Sequence, residues 1–241
     1  MALPKIDTPI YDLELPLSKR KIRFRPFLVK EQKNLLMALE ADDSQTINTN
    51  IRQILNNCTL SANLDVEDLP IIDIEYYFLN LRARSVGEVV ESKYRCNNIV
   101  DEKECNNIMD VNINLLDIKV QKDETLDDIV KITDKIAIKL KYPSFSSLEA
   151  TTGMTNSTDI AFELIMDSIE TIYDGNEAYH TKEAPKEELK EFVESLNKTQ
   201  FEKIENFFNN TPKLNKNVEM KCSKCGFEHE IFIEGLESFF D

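Results

Sequence analysis

The sequence predicts an α+β fold that is closed by a four-cysteine metal site of the zinc-ribbon kind. Three observations predict this class. Apolar residues recur at helical spacing in the first third of the chain, alternating strand-like segments occur on both sides of that region, and two pairs of cysteines lie far apart in the sequence. The 241 residues are enough for one large domain or for two small ones that share a core.

We expect four regions along the chain. An N-terminal arm and β-hairpin occupies residues 1–27, a helical region residues 28–87, the two halves of a metal-binding ribbon residues 88–120 and 212–235, and an α/β insertion residues 121–211. The insertion separates the two ribbon halves in the sequence, and a bound metal would join them.

The N-terminal arm contains three prolines in its first 17 residues, so we expect it to be extended until it ends in a strand. Basic and apolar residues alternate from Lys21 to Arg25, which predicts the second strand of a hairpin, with a solvated basic face, before Pro26. Helical spacing then predicts helices over residues 28–40 and 47–58. Cys58 belongs to the apolar stripe of the second helix, and we expect it to be buried.

A third helix is expected to begin near residue 65. Asp65 is a candidate N-cap, and Asp68 supplies a carboxylate three residues later. The helix would run to Arg84, and Gly87 would close it. Its many apolar residues predict that it lies in the core.

Alternation of apolar and polar residues predicts the strands of the ribbon and of the insertion. These strands cover residues 88–95, 109–115, 135–142, 217–221 and 228–233. The dipeptide Asp174-Gly175 indicates a turn between two further short strands within residues 169–179. A short apolar segment, Leu236 to Phe240, ends the chain, and its Phe239 and Phe240 either contact partners or fold back onto their own core.

The insertion also shows three helical patterns. They cover residues 158–168, 185–196 and 199–208. Ser157 or Thr158 is expected to cap the first of them, and Asn197 or Thr199 the last.

The strongest chemical motif is the sequence Cys222-Ser-Lys-Cys225-Gly226, which lies between two strand-like segments. Two thiolates on a tight turn can hold one side of a tetrahedral metal ion, and the glycine lets the backbone curl around it. A thioredoxin-type Cys-x-x-Cys should open a helix, whereas the residues after Gly226 alternate like a strand.

A second pair, Cys96 and Cys105, has eight residues between its members, which is longer than a usual metal knuckle. We predict that all four cysteines share one structural zinc ion, because four thiolates leave no coordination position open for a substrate. Free or redox thiols and an iron–sulfur cluster are the alternatives. His229 could replace one cysteine, although a surface or edge-strand histidine is the preferred interpretation.

The formal net charge is -15 with a pI near 4.7, which argues against nucleic acid as a partner, because phosphate backbones require a basic surface. Five cysteines with a Cys-x-x-Cys motif indicate a reducing compartment and a metal rather than a disulfide framework. The sequence shows no N-terminal signal-like segment and no apolar run long enough to span a membrane.

Nothing in the residue pattern predicts an enzyme. The chain has two histidines and five glycines, and it contains none of the common phosphate-binding, hydrolase or metalloprotease motifs. Asp73 and Glu75 could be proposed as a catalytic pair, but a structural ion pair with Arg82 or Arg84 is the preferred interpretation.

Several segments resemble a known family. They are Leu15 to Leu17, Ile22 to Phe27, Asp68 to Tyr76 and Leu81 to Glu88, followed by a middle cysteine segment and a C-terminal Cys-x-x-Cys. The chain is similar to the T-even phage baseplate hub family, proteins needed to build the central hub of contractile tails. The resemblance implies a non-enzymatic virion protein of the tail baseplate, assembled in the host cytoplasm, with hub proteins, the tape-measure protein and wedge proteins as partners.

Three roles remain open at this stage. The chain could be a structural hub protein retained in the virion, or an assembly chaperone that leaves before maturation. The third hypothesis is a zinc-ribbon regulator that binds nucleic acid or polymerase, which would need a basic face around the ribbon. Four lysines near the C-terminal motif give it some support, although four glutamates surround them: Lys213, Lys216, Lys221 and Lys224, against Glu219, Glu228, Glu230 and Glu234.

Overall fold

The computed structural model describes residues 6–40, 44–62, 64–121 and 127–234. The described part of the chain is mixed α/β. Its helices are α1 (Val29–Glu40), α2 (Ser44–Cys58), α3 (Ile71–Ser85), α4 (Phe145–Ala150), α5 (Ser157–Ser168), α6 (Lys186–Glu194) and α7 (Lys198–Asn209). Short 3-10 helices cover Leu115–Asp117 and Thr181–Glu183.

The strands form antiparallel sheets of two to four strands. They are β1 (Tyr11–Glu14), β2 (Lys21–Phe24), β3 (Val89–Arg95), β4 (Ile99–Val100), β5 (Lys103–Glu104), β6 (Ile108–Asn114), β7 (Lys119–Gln121), β8 (Ile129–Lys131), β9 (Ile136–Leu140), β10 (Ile169–Asp174), β11 (Glu177–His180), β12 (Lys213–Lys221) and β13 (Glu228–Glu234). The C-terminal segment from Leu236 to Phe240, with Phe239 and Phe240, lies outside the described residues.

The chain divides into two compact units. Unit 1 comprises the described residues up to Val66, those from Ile72 to Gln121, and those from Lys213 onwards. Unit 2 comprises Glu67–Ile71 and the described residues of the long segment that ends at Pro212. Unit 1 is therefore assembled from parts of the sequence that are far apart.

In unit 1, the predicted N-terminal hairpin is confirmed. Tyr11 of β1 pairs with Phe24 of β2, and Ile22 and Phe24 are buried while Lys21 and Arg23 of the same strand are exposed. The basic face of β2 is thus solvated, as the alternation predicted. The helices α1 and α2 also lie where their apolar spacing placed them.

The predicted start of the third helix at Asp65 is wrong, because α3 begins at Ile71. Residues 66–69 form bends and turns instead. A residue that precedes proline is disfavoured in the helical conformation, so Pro70 keeps Leu69 out of the helix. Asp65 therefore does not act as its N-cap.

Asp73, in the first turn of α3, has no exposed surface and performs a structural task. Its carboxylate accepts hydrogen bonds from the backbone N–H groups of Leu17 and Ser18, both at 2.8 Å. These bonds fasten the turn of the N-terminal hairpin to α3. A carboxylate held by two backbone donors has a structural role. The prediction named Arg82 or Arg84 as the partner, whereas the observed donors to Asp73 are backbone N–H groups.

The ribbon region of unit 1 contains two hairpin-like sheets. Strands β3 and β6 pair from Val89↔Asn114 to Arg95↔Ile108, and β12 pairs with both β13 and β7. Their inward-facing residues and α3 share one core, made of Leu79, Ala83, Val90, Val111, Ile113, Leu115, Ile118, Leu214 and Ile233. This core brings the ends of β3, β6, β12 and β13 together, and the cysteines lie at those ends.

Unit 2 contains a four-stranded sheet in the order β11-β10-β9-β8 and the helices α4 to α7. Its core is formed by Ile132, Ile138, Leu140, Ile165, Met166, Ile169, Val193, Ile204 and Phe207. The predicted caps of α5, Ser157 and Thr158, are wrong, because the side chain of Asn156 accepts from the backbone N–H of Thr158. The predicted cap of α7 is confirmed at Asn197, which forms a capping box with Gln200.

No helix among the described residues combines the length and the apolar character that a membrane span requires.

Candidate metal centre

The C-terminal cysteine pair forms a tight knuckle between β12 and β13. The backbone N–H of Cys222 donates to the carbonyl of Phe227 at 2.8 Å, and the N–H of Gly226 donates back to the carbonyl of Cys222 at 2.8 Å. Gly226 has a φ of 74°, in the left-handed region that glycine adopts most readily. The sequence motif therefore produces the turn expected of it.

The upstream pair forms a second knuckle between β3 and β6, with the same hydrogen-bond pattern. The N–H of Cys96 donates to the carbonyl of Asn107 at 2.8 Å, and the N–H of Asn106 donates to the carbonyl of Cys96 at 3.1 Å. Asn106 follows Cys105 with a φ of 51°, and asparagine tolerates this conformation better than most residues. Both knuckles thus close in the same way.

The unusual spacing of the upstream pair has a simple structural origin. Residues 99–104 form a small hairpin, in which Ile99 of β4 pairs with Glu104 of β5. The N–H of Cys105 donates to the carbonyl of Asn98 at 2.8 Å and closes the base of this hairpin. The two cysteines are therefore adjacent in space although eight residues separate them in the sequence.

The four predicted cysteines come together. The Sγ atoms of Cys96, Cys105, Cys222 and Cys225 all lie within 4.8 Å of one another. The Sγ atoms of Cys96 and Cys225 are 3.7 Å apart, and those of Cys105 and Cys222 are 3.8 Å apart. A tetrahedron of thiolates about 2.3 Å from a central zinc has edges of about 3.8 Å, and both of these sulfur pairs match that length.

Backbone N–H groups point at every sulfur of the cluster. Each cysteine accepts from the residue two positions later in the chain, and Cys222 also accepts from Cys225; the donors are Asn98, Asn107, Lys224 and Phe227. Such donors stabilise the thiolate form of cysteine, which is the form that binds metals.

Two asparagine side chains add further donors. The Nδ2 of Asn98 is 3.6 Å from the Sγ of Cys225, and the Nδ2 of Asn107 is 3.5 Å from the Sγ of Cys222. Each of these asparagines therefore serves its own knuckle through the backbone and the opposite knuckle through the side chain. Sequence reasoning missed both, although the repeated tripeptide Cys-Asn-Asn at residues 96–98 and 105–107 could have revealed them.

His229 lies beside the cluster, with its Nε2 atom 3.1 Å from the Sγ of Cys96. It belongs to β13, an edge strand of its sheet, but it is buried, so the expectation of a surface histidine is wrong. Its ring packs between Tyr94 and Phe227, at centroid distances of 5.3 and 4.8 Å. The aromatic neighbours fix the ring so that Nε2 points at the sulfur.

The acidity of the thiols differs within the cluster. Backbone hydrogen bonding, first from Cys225, lowers the pKa of Cys222 to about 6. Burial raises the pKa of Cys96 to about 12. One thiolate therefore forms readily near neutral pH, while four thiolates clustered together need a cation. Cys58 is fully buried in α2, as predicted, and burial raises its pKa to about 11.

The four cysteines are arranged so that they can enclose a single metal ion. Cys96, Cys105 and Cys222 are buried and Cys225 is half-buried, so the four sulfurs face one another rather than solvent. With all four coordination positions filled by protein, a bound ion would be structural.

Comparison with known proteins identifies the family to which the chain belongs. The profile of the family described as "T4 bacteriophage base plate protein" matches residues 8–241. The baseplate hub assembly protein gp26 of Enterobacteria phage T4 is 25% identical over 232 residues, which cover 96% of this chain and 98% of that protein. No solved structure matches the chain. The chain belongs to the T4 bacteriophage base plate protein family.

Proposed function

We propose that this chain is a structural component of the central hub of a contractile phage tail baseplate, and that a zinc ion held by Cys96, Cys105, Cys222 and Cys225 stabilises its fold. The hub role is supported by the family match over nearly the whole chain, together with a relative whose name refers to the baseplate hub. The cysteine geometry supports the second part.

A single metal ion suits this chain because it would join distant parts of the sequence. Cys96 and Cys225 are 129 residues apart. Structural zinc sites contribute on the order of 10 kcal/mol of apparent folding free energy in small domains. Bound here, the ion would hold the ends of both ribbon hairpins in place, so that unit 1 presents a fixed surface to its partners.

The spacing of the sulfurs favours one ion over an iron–sulfur cluster. In a cluster of several irons the thiolates bind different iron atoms around a larger core. Sulfurs that all lie within 4.8 Å of one another leave room for one ion only. Zinc is the ion that four thiolates most often bind in structural sites.

We propose other hub proteins as the main partners, with the tape-measure protein and the wedge proteins as further candidates. The net charge of -15 supports contacts with basic protein surfaces and opposes contact with nucleic acid. The work of the chain would then consist of protein–protein contacts rather than of chemistry.

A second role, as an assembly factor that leaves before maturation, is favoured by one observation: the T4 relative is named an assembly protein. Quantitative mass spectrometry of purified tails separates the two roles. Stoichiometric presence of this chain in finished baseplates supports the structural role. Presence in hub intermediates but absence from finished tails supports the assembly factor, and absence from both contradicts the hub assignment.

Metal analysis of the purified protein, together with an absorption spectrum, tests the metal site. We expect one zinc ion per chain and a colourless protein. A coloured protein that contains iron would indicate that iron, rather than zinc, occupies the same site. A folded protein without any bound metal would contradict the proposed site.

A further inference from the structure

The knuckle of Cys96 and Cys105 contains an insertion that its metal-binding task does not need. Without residues 99–104 the sequence would read Cys96-Asn97-Asn98-Cys105-Asn106, which has the length of Cys222 to Gly226. The bond from the N–H of Cys105 to the carbonyl of Asn98 already closes the gap at 2.8 Å. The knuckle is thus complete at the base of the hairpin, and the hairpin projects from it.

The hairpin contributes nothing to the core of unit 1. All six residues from 99 to 104 are exposed, including two apolar ones. Ile99 is 69% exposed and Val100 is 43% exposed. Two adjacent β-branched apolar residues in water, on a projecting two-stranded element, favour contact with another surface.

The turn of the hairpin keeps acidic residues where the backbone prefers glycine. Asp101 and Glu102 have φ values of 50° and 60°, the pattern of a type I′ turn, for which Asn-Gly is the favoured sequence. A left-handed conformation is unfavourable at a residue such as glutamate, because its Cβ lies too close to the following carbonyl oxygen. The tip therefore carries two carboxylates at some expense of local stability.

We propose that the hairpin of residues 99–104 is a docking element that inserts into a cleft on another baseplate subunit. This inference rests on the proposed hub function. Ile99 and Val100, whose side chains lie on opposite faces of β4, would contact the apolar walls of the cleft. The carboxylates of Asp101 and Glu102 at the tip would meet lysine or arginine residues at its floor, and Glu104 would meet one near the rim. The metal knuckle at its base would hold the hairpin in a fixed direction.

Two variants test the docking element in tail-producing cells. The first deletes residues 99–104 and so restores a knuckle of normal length, and the second is Ile99→Ser/Val100→Ser. Val86→Ser, which changes a residue that is 56% exposed outside the hairpin, is the matched control. We expect both hairpin variants to keep one metal ion per chain and the parental melting temperature, while their incorporation into hub complexes falls at least tenfold.

A photo-crosslinker at position 99 identifies the partner. The expected product is a conjugate with another baseplate subunit, at a peptide that contains apolar residues beside lysine or arginine. Crosslinking to a second copy of this chain, or to no subunit, overturns the proposal. So does normal incorporation of both hairpin variants, or loss of the metal on deletion of the hairpin.

These outcomes separate the docking element from the hub function. If the parental chain itself never enters hub complexes, the hub function fails and the docking element fails with it. If the parental chain enters and both hairpin variants enter equally well, only the docking element fails.

Discussion

Asn106 and Gly226 occupy equivalent positions, each directly after the second cysteine of its knuckle, with φ values of 51° and 74°. Each also donates its backbone N–H to the carbonyl of the first cysteine of that knuckle. The centre therefore has an internal symmetry that the cysteine spacing hides. One half uses glycine for the left-handed turn, and the other half uses asparagine.

This equivalence predicts how both positions respond to substitution. Gly226→Ala and Asn106→Ala should each lower the free energy of unfolding by about 1 kcal/mol, because an alanine side chain disfavours positive φ. A Cβ at position 226 would meet no atom within 4 Å, so the effect there is conformational rather than steric. Asn106→Gly, the control, should be almost neutral. Urea unfolding with metal present measures all three, and a neutral Gly226→Ala would contradict the shared geometry.

The cysteines should be essential as a set. Cys222→Ser/Cys225→Ser should abolish metal binding and lower the melting temperature by more than 10 °C, since the loss of a structural metal removes several kcal/mol of stability. Cys58→Ala is the matched control, because that thiol is buried in α2 and should leave the metal content at one ion per chain. A double variant that keeps its metal and melts like the parent would refute the four-cysteine site.

His229 should tune the affinity of the site without being a ligand. When Cys96 is a thiolate, the Nε2–H group of His229 donates a hydrogen bond to the sulfur of Cys96. His229→Phe keeps an aromatic ring between Tyr94 and Phe227 but removes this donor, and it should weaken metal binding about tenfold. His229→Gln, which retains a donor, should lose less. Competition with a chelator gives the affinities, and equal affinities for both variants would exclude the role of the hydrogen bond.

Glu31 should contribute to the acid sensitivity of unit 1. Burial alone would raise its pKa, but hydrogen bonds from Arg25 at 3.0 Å and from the N–H of Leu28 at 2.7 Å, with the charges of Arg25 and Lys30, lower it below the ordinary value of 4.5. A lowered folded-state pKa stabilises the protein above the unfolded-state value, and this stabilisation is lost as the pH falls through the folded-state value.

Glu31→Gln should therefore be less stable than the parent at pH 7, by about 1–3 kcal/mol. The difference should shrink as the pH falls below about 4.5, where Glu31 first binds a proton in the unfolded chain, and it should be lost as the pH falls through the lower pKa of the folded state. Urea unfolding at pH 7, 5 and 3.5 measures the difference directly. A constant difference across this range would show that Glu31 does not act through its charge.

The sequence was most informative where one signal dominated. Alternation placed β2, β3, β6, β12 and β13, and apolar spacing placed α1 and α2. The four cysteines were identified from a strong C-terminal motif and a weak upstream pair, and all four meet. The predicted start of α3 failed because of Pro70, whose influence on Leu69 outweighed the capping pattern at Asp65.

Other features left no periodic signal. The helix α4 has six residues and β4 has two, which is too short for a hydrophobic repeat to develop. The burial of His229 depends on Tyr94, which lies far away in the sequence, so no local pattern could reveal it. The cap of α5 was displaced by one residue, because Asn156, Ser157 and Thr158 are all suitable cap residues.

The discontinuity of unit 1 sets the order in which the metal centre can form during synthesis. Cys105 and Cys222 are 117 residues apart. At a translation rate of about 5–20 residues per second, the upstream thiols wait roughly 6–23 s for their partners, while most of unit 2 leaves the ribosome. A chain that stops before Cys222 can never complete the four-thiolate set. Metal binding would thus distinguish chains that contain both knuckles from chains that stop before Cys222, before either could enter a tail.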